Sequence, residues 1–371
     1  MRGNATRHLL HAAVLLAVPA AVPAQEPAYA PAGECAACHA TIHQYWSESA
    51  HAQAVTRPGF LEAFRAAPAE PSAWGDCVWC HAPTTLVTGD TALEGELARE
   101  GVTCDFCHTV ADVDLGRPDH PFELAPGDVK LGPLLYTTAA PHGTGYSTLH
   151  RSSALLCAGC HDYRNANGVA VLTAYSEWSR TSYASRGLTC QECHMPVVPG
   201  STVTEGLESS QRVVNLHRAP GGSSAAKLAA GLELEIDSFR ALAGSAEIRV
   251  VVRNSGVGHS APGGLSTKSL ALVVGIDTGG GELSHAVEHL YRRQLLDAAG
   301  EPLSSVPEMF LDAAAVGEDT RIPAGEARSA RVTLPLPEDW KAVVARLEYR
   351  DASGPGEPAT ILIHEERRER R

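Results

Sequence analysis

Several residue types are scarce in this chain of 371 residues. Aromatic residues make up only 5%, a thin supply for the cores of domains of this size, so we expect another group to fill part of the interior. Methionine occurs three times, as Met1, Met195 and Met309. Basic residues number 30 against 43 acidic ones, and the net charge of −13 argues against a nucleic-acid partner, which requires a basic face.

Long hydrophobic runs are missing as well. After residue 24 no stretch reaches the roughly 18 apolar residues that a membrane-spanning helix needs, so we expect no membrane span in the mature chain. Residues 1–24 predict a secretory signal peptide, with a basic start, a short apolar run at 9–18 and small residues at 22–24. A retained membrane anchor is the alternative interpretation. We therefore expect export to the periplasm or the cell exterior, with residues 25–33 as a linker.

No cysteine stands outside a repeated motif. All ten occur in five C-x-x-C pairs, and a histidine follows each pair directly. In chain order, motifs 1 to 5 are Cys35–Cys38–His39, Cys77–Cys80–His81, Cys104–Cys107–His108, Cys157–Cys160–His161 and Cys190–Cys193–His194. This spacing is the attachment signal for c-type haem, and a zinc or dithiol redox site is the rival interpretation of a C-x-x-C pair. Because the histidine recurs in every motif, the sequence predicts five covalent haems, with cysteine thioethers and proximal histidines.

Composition divides the rest of the chain into two parts. Residues 34–218 contain every cysteine, and we expect a mostly helical and irregular multihaem domain wrapped around stacked haems. Residues 219–231 predict a linker rich in Gly, Ser and Ala. Residues 232–363 contain β-rich runs separated by Gly and Pro turns, which predict an immunoglobulin-like sandwich of about seven strands. The charged tail 364–371 is expected to be disordered.

The second axial ligand decides the chemistry of each haem iron. A second His or a Met favours electron transfer, whereas an open position permits catalysis. Met195 directly follows a proximal histidine and Met309 lies far away in the β region, so bis-His ligation is the expectation. His51 lies about 18 Å from His39 on a continuous helix, whereas ligands on opposite sides of one iron are only about 4 Å apart. His51 must therefore serve a neighbouring haem.

The chain resembles a known family at four places. The opening of multihaem cytochromes c related to cytochrome c-554 and hydroxylamine oxidoreductase is similar to GECAACHATIHQYWSESAHAQA, residues 33–54. The central block of that group is similar to 130–162, which ends in HGTGYSTLHRSSALLCAGCHD, and a later haem site to EWSRTSYASRGLTCQECHMP at 177–196. The turn that opens a C-terminal β domain in such proteins resembles NSGVGHSAPGG at 254–264, with Gly263-Gly264 in place of Thr-Gly.

The resemblance implies one distal histidine for each haem. Carried over by position, these candidates are His51, His142, His150, His217 and His259, with His120 in reserve. If His259 binds iron, a metal bond ties the β domain to the haem array.

Three functional hypotheses follow. The first is an electron carrier with five mainly bis-His haems, whose redox partners dock through basic patches because the chain is acidic. The second is a haem enzyme with one open iron that reduces or oxidises a small nitrogen compound such as nitrite or hydroxylamine. The third is a subunit of a homo-oligomer or an extracellular filament. His285-Ala-Val-Glu-His289 also matches the H-x-x-E-H zinc-protease pattern, but such a short match arises easily by chance.

The secreted protein is expected to have the mass of the mature chain plus five haems. All ten cysteines should resist alkylation after denaturation, because each sulfur is already a thioether. Intact-mass spectrometry with and without iodoacetamide measures both quantities. A mass equal to bare polypeptide, with ten alkylated thiols, would contradict the haem interpretation.

Overall fold

The computed structural model describes residues 29–66, 77–117, 119–135, 141–203 and 212–370. The predicted signal peptide, 1–24, and the first four residues of the predicted linker at 25–33 lie outside the described residues. Within the described ranges no helix is both long enough and apolar enough to cross a bilayer.

Short helices and loops form the N-terminal part, as expected for a mostly helical and irregular domain. The helices are α1 Ala32–Ala36, α2 Ala40–Ser47, α3 Pro58–Ala66, α4 Thr85–Thr88, α5 Glu96–Arg99, α6 Cys104–Cys107, α7 Thr148–Ser152, α8 Leu155–His161, α9 Ala174–Trp178, α10 Ser182–Ser185 and α11 Cys190–His194. Residues 77–81 are helical too.

Four two-stranded sheets connect these helices. They pair β1 Val110–Val113 with β2 Phe122–Leu124, β3 Lys130–Gly132 with β4 Thr144–Tyr146, β5 Asp162–Arg164 with β6 Ala170–Thr173, and β7 Val197–Pro199 with β8 Val213–Asn215. The β3–β4 pair is parallel and the other three are antiparallel.

A threonine starts two of the helical turns that contain a haem motif. Thr103 Oγ1 accepts a hydrogen bond from the Phe106 amide at 3.2 Å. Thr189 forms a capping box with Glu192, whose carboxylate accepts from the Thr189 amide at 2.8 Å. Such caps satisfy the free amides of a helix start, so they fix short helices that would be unstable alone.

The C-terminal part is β-rich, as expected. Its elements are α12 Ala225–Gly231, β9 Leu232–Leu242, β10 Ser245–Asn254, β11 Lys268–Asp277, β12 Leu283–Leu296, α13 Val306–Leu311, β13 Ala315–Asp319, β14 Ala327–Pro335, β15 Ala342–Asp351 and β16 Ala359–Glu369. One antiparallel sheet has the order β14-β10-β9 and the other has the order β13-β12-β11-β15-β16.

Alternation of apolar and polar residues positions the core between these two sheets. Along β9 the buried residues are Leu232, Leu234 and Ile236, and the residues between them are exposed. The same cluster includes Leu272 and Leu347 from the five-stranded sheet, both fully buried. Period-two burial is the pattern that the β-rich runs predicted.

Two predicted boundaries of the β region are wrong. Residues 225–231 form a helix instead of a linker, because Ser224 caps it and Leu228 packs against the β core. The tail 364–371 is not free, since β16 runs to Glu369. Its charged side chains are paired: Arg346 Nε lies 2.7 Å from the carboxylate of Glu365, across the β15–β16 pair.

The two parts of the chain share a buried interface. Val169 and Val171 from the N-terminal part pack against Leu295, Met309 and Ala313 from the β domain. Asn165 Nδ2 donates to the Ala313 carbonyl at 2.7 Å, and the buried Arg293 guanidinium donates to the Val171 carbonyl at 3.2 Å. Apolar packing together with satisfied polar groups holds the β domain against the N-terminal part.

Truncating Leu295 to alanine should lower the free energy of unfolding by about 2–5 kcal/mol, because it leaves a cavity in this interface. Leu362→Ala is the matched control, since that side chain is 51% exposed and its loss should cost less than about 0.5 kcal/mol. Denaturant unfolding followed by circular dichroism measures both. Equal costs for the two variants would contradict the interface described here.

Candidate haem-binding site

A large cavity of about 2950 Å³ lies in the N-terminal part and extends to the β domain. Ordinary ligand pockets have volumes of roughly 300–1,000 Å³, so this cavity has room for several large groups. Every residue of motifs 1 to 4 that carries a sulfur or an imidazole lines it: Cys35, Cys38, His39, Cys77, Cys80, His81, Cys104, Cys107, His108, Cys157, Cys160 and His161. Motif 5 borders it through Gln191, Glu192 and Met195.

The fold brings distant motifs into contact through their cysteines. The side chains of Cys35 and Cys104 contact each other, which places motif 1 beside motif 3. Those of Cys157 and Cys190 also contact each other, which places motif 4 beside motif 5. Burial is the main reason that the pKa of Cys107 is raised to about 12, and the neighbouring Cys160 raises it further. Motifs 1, 3, 4 and 5 therefore form a continuous series in space.

Most proximal and distal candidates share one hydrogen-bond arrangement, in which Nδ1 contacts a backbone carbonyl oxygen. The pairs are His39 with Thr202, His81 with Ala54 at 3.0 Å, His108 with Leu131 at 2.6 Å, His194 with Pro220 at 2.8 Å, His142 with Gly143 at 2.9 Å, His217 with Asn215 at 2.7 Å and His259 with Ser260 at 2.9 Å. A carbonyl can only accept, so each Nδ1 carries the proton and each Nε2 keeps a free lone pair. This tautomer is the one that binds a metal through Nε2.

Three proximal histidines face a second imidazole at one characteristic distance. Ring centroids are 6.2 Å apart for His39 and His142, 6.3 Å for His161 and His51, and 6.4 Å for His108 and His217. Two imidazoles on opposite sides of one metal have centroids about 6 Å apart, because each metal–nitrogen bond is about 2 Å long. The residues therefore fit a metal between each pair of rings.

Burial keeps these imidazoles neutral. Desolvation lowers the pKa of His108 to about 4 and that of His161 to about 3. It is also the main reason that the pKa values of His51, His217 and His259 are lowered. Neutral imidazole is the ligand form, so none of these residues has to lose a proton near neutral pH before it binds a metal.

Known proteins share both the motifs and the fold. Residues 34–109, which include motifs 1 to 3, match the family model described as cytochrome c554 and c-prime. The structure of a penta-haem cytochrome c552 from Thermochromatium tepidum superposes with a TM-score of 0.74 and 21% identity, over 93% of this chain and all of that one. Residues 34–109 therefore match this family, and the chain has the fold of a multihaem c-type cytochrome. It binds covalent c-type haems, about five.

Other matches are confined to part of the chain. A β-glucosidase from Kluyveromyces marxianus aligns with 37% of this cytochrome and 14% of the enzyme, at 13% identity and a TM-score of 0.16. A β-glucosidase 3B from Thermotoga neapolitana aligns with 38% and 17%, at 10% identity and a TM-score of 0.14. Scores this low establish no relationship between the folds. Among curated proteins none matches the sequence significantly.

The cavity also offers positive charge for haem propionates. Lys268 of the β domain lines it beside Gly264, whose missing side chain leaves room for the lysine stem. Within the described ranges no carboxylate lies within 4.0 Å of its ammonium group. An ammonium group in this place is able to pair with a carboxylate of an acidic cofactor, so the residues present fit such a group.

Two predicted site residues differ from the others, His150 in its hydrogen bond and His81 in its ring contact. His150 uses Nε2, which lies 2.7 Å from the Cys107 carbonyl, and its ring stacks on His108 at 5.7 Å. His81 stacks on the ring of Phe60 at 4.6 Å, and no described histidine makes a ring contact with it. Phe60 is thus a site residue that the motifs did not reveal, since nothing in its local sequence marks it.

His259 lies near motif 5, and its turn explains a departure from the family pattern. Burial is the first cause that lowers the pKa of His194, and the proximity of His259 lowers it further. A β-carbon on Gly263 would lie 2.7 Å from His259 Cε1, so in this conformation the threonine of the family pattern would collide with the ring. The glycine therefore accommodates the imidazole in this turn.

The H-x-x-E-H segment has a different environment. His285, Glu288 and His289 lie on strand β12, in the β domain. Among the described residues no cluster of three or more His, Cys, Asp or Glu side chains is arranged to hold a free metal ion.

Proposed function

We propose that this cytochrome is an exported electron carrier whose haems are mainly bis-His ligated. The observation that carries the proposal is the set of three imidazole pairs at 6.2, 6.3 and 6.4 Å. In this proposal His142, His51 and His217 are the distal ligands opposite His39, His161 and His108. His259 is the distal ligand for motif 5, because it lies near His194.

The bound haems supply reversible ferric–ferrous chemistry, and the chain's own residues control it. The backbone carbonyls that hold each Nδ1 proton keep the ligand nitrogens fixed, so little reorganisation accompanies a change of charge. The contacts between cysteines arrange motifs 1, 3, 4 and 5 in series. We propose that electrons enter and leave at opposite ends of this series, near motifs 1 and 5.

The cellular setting in this proposal rests on sequence. Residues 1–24 would be removed as a signal peptide, and c-type haem is attached outside the cytoplasm. Removal of this segment takes away two arginines and no acidic residue, so the net charge of −13 becomes more negative. Donor and acceptor proteins would then dock through basic patches.

A second candidate function is supported at motif 2. His81 has an aromatic neighbour, Phe60, where three other proximal histidines face an imidazole. An iron without a distal histidine has an open position, which permits reaction with a small nitrogen compound such as nitrite or hydroxylamine.

Spin state distinguishes the two candidates. For a carrier with only bis-His haems, the oxidised protein should be wholly low-spin, and the reduced protein should not bind carbon monoxide. An open motif 2 should give one high-spin haem in five that binds carbon monoxide. Electron paramagnetic resonance and carbon monoxide titration measure these quantities. Several high-spin haems would contradict the ligand pairs proposed above.

Replacing His217 by glycine should convert one low-spin haem to high-spin, because it removes the imidazole opposite His108. Added imidazole should restore the low-spin signal by filling the space. His150→Gly is the control, since the Cys107 carbonyl already occupies Nε2 of that residue. The assignment would be wrong if His150→Gly produced the high-spin haem and His217→Gly did not.

A further inference from the structure

A buried ion pair links the cytochrome part to the β domain. Arg321, which follows β13, places its Nη2 atom 2.6 Å from Oε1 of Glu177 in α9. The Arg321 side chain is 6% exposed and that of Glu177 is 18% exposed. Asp319 completes the arrangement, with its Oδ2 atom 2.8 Å from the same guanidinium nitrogen. Because a buried ion pair with extra hydrogen bonds has a defined geometry, it can hold one domain in register with the other.

Glu177 also contacts the turn that contains His259. Its Oε2 atom accepts a hydrogen bond from the Ser260 amide at 2.9 Å, and its Oε1 atom accepts from the Thr173 hydroxyl at 2.7 Å. The carbonyl of Ser260 in turn lies 2.9 Å from His259 Nδ1. One residue, Ser260, thus joins the carboxylate of the cytochrome part to the imidazole of the β domain.

The opposite side of this turn is fixed by Asn254, which is 1% exposed. Its Nδ2 atom donates to the carbonyls of His259 at 2.8 Å and Ile322 at 3.0 Å. Its Oδ1 atom accepts from the Val257 amide at 3.0 Å. Asn254 thus holds the turn from within the β domain, and Glu177 adds a hydrogen bond to it from the cytochrome part.

We propose that Glu177, paired with Arg321, is a positioning residue that holds His259 in place as the distal ligand of the haem on motif 5. This proposal rests on the assignment of His259 made above. The negative charge is needed twice, since it pairs with a buried guanidinium and accepts from the Ser260 amide. Without that charge the turn loses its anchor to the cytochrome part, and His259 dissociates more readily from the iron.

The test uses the full-length, haem-loaded protein and the isosteric variant Glu177→Gln. Glu365→Gln is the matched control, because Glu365 forms an ion pair of similar length with Arg346 at 2.7 Å, on the outer strand β16. His259→Gly identifies the signal of the haem on motif 5, and added imidazole should restore that signal. The readouts are the haem count, the low-spin signals and carbon monoxide binding by the reduced protein.

We expect Glu177→Gln to keep five haems and to raise the fraction of the motif 5 haem that binds carbon monoxide at least tenfold. Glu365→Gln should leave that fraction unchanged. If His259→Gly abolishes the low-spin signal while Glu177→Gln leaves carbon monoxide binding as in the wild type, the positioning role is wrong and the ligand assignment stands. If His259→Gly changes no signal, both the assignment and the positioning role are overturned.

Discussion

The covalent anchor and the proximal ligand of each haem lie within five consecutive residues, and this constraint governs the rest of the structure. Such a short motif fixes one face of an iron but leaves the opposite face to be supplied from elsewhere in the chain. In the proposed assignment the fold supplies it over long distances in sequence, since His39 faces His142 and His108 faces His217. Short helices and loops are enough for this purpose, because the cofactors replace side chains as the packing material of the interior.

The β domain is involved in the same constraint, because in the proposed assignment its residue His259 is the ligand opposite His194. Its own core is continuous and apolar, so it can fold around Leu272, Leu347 and their neighbours without help from a cofactor. Its contact with the cytochrome part includes buried polar groups, among them Arg293 and Arg321. Arg321 pairs with Glu177, whose carboxylate accepts a hydrogen bond from the turn that contains His259.

Local sequence was sufficient to recognise the C-x-x-C-H motifs and to predict most of the β-strands of the C-terminal part. The C-x-x-C-H motifs and the alternation in 232–236 each depend on neighbouring residues, so their structure could be read directly. The pairing of imidazoles could not be predicted in this way, because it depends on how distant segments, such as those of Cys35 and Cys104, meet in the fold. Strand β16 was missed for a similar reason: its charged residues pair with Arg346 and Asp277, partners that tertiary structure alone brings near.

The central claim is that neutral histidine imidazoles, and no sulfur ligands, complete the coordination of the irons. Iron K-edge X-ray absorption on the oxidised, haem-loaded protein tests this claim most directly. The account predicts a first shell made only of nitrogen at about 2 Å, averaging close to six atoms for each iron. A sulfur shell, which would place Met195 or Met309 on an iron, or an average close to five nitrogens, would contradict it.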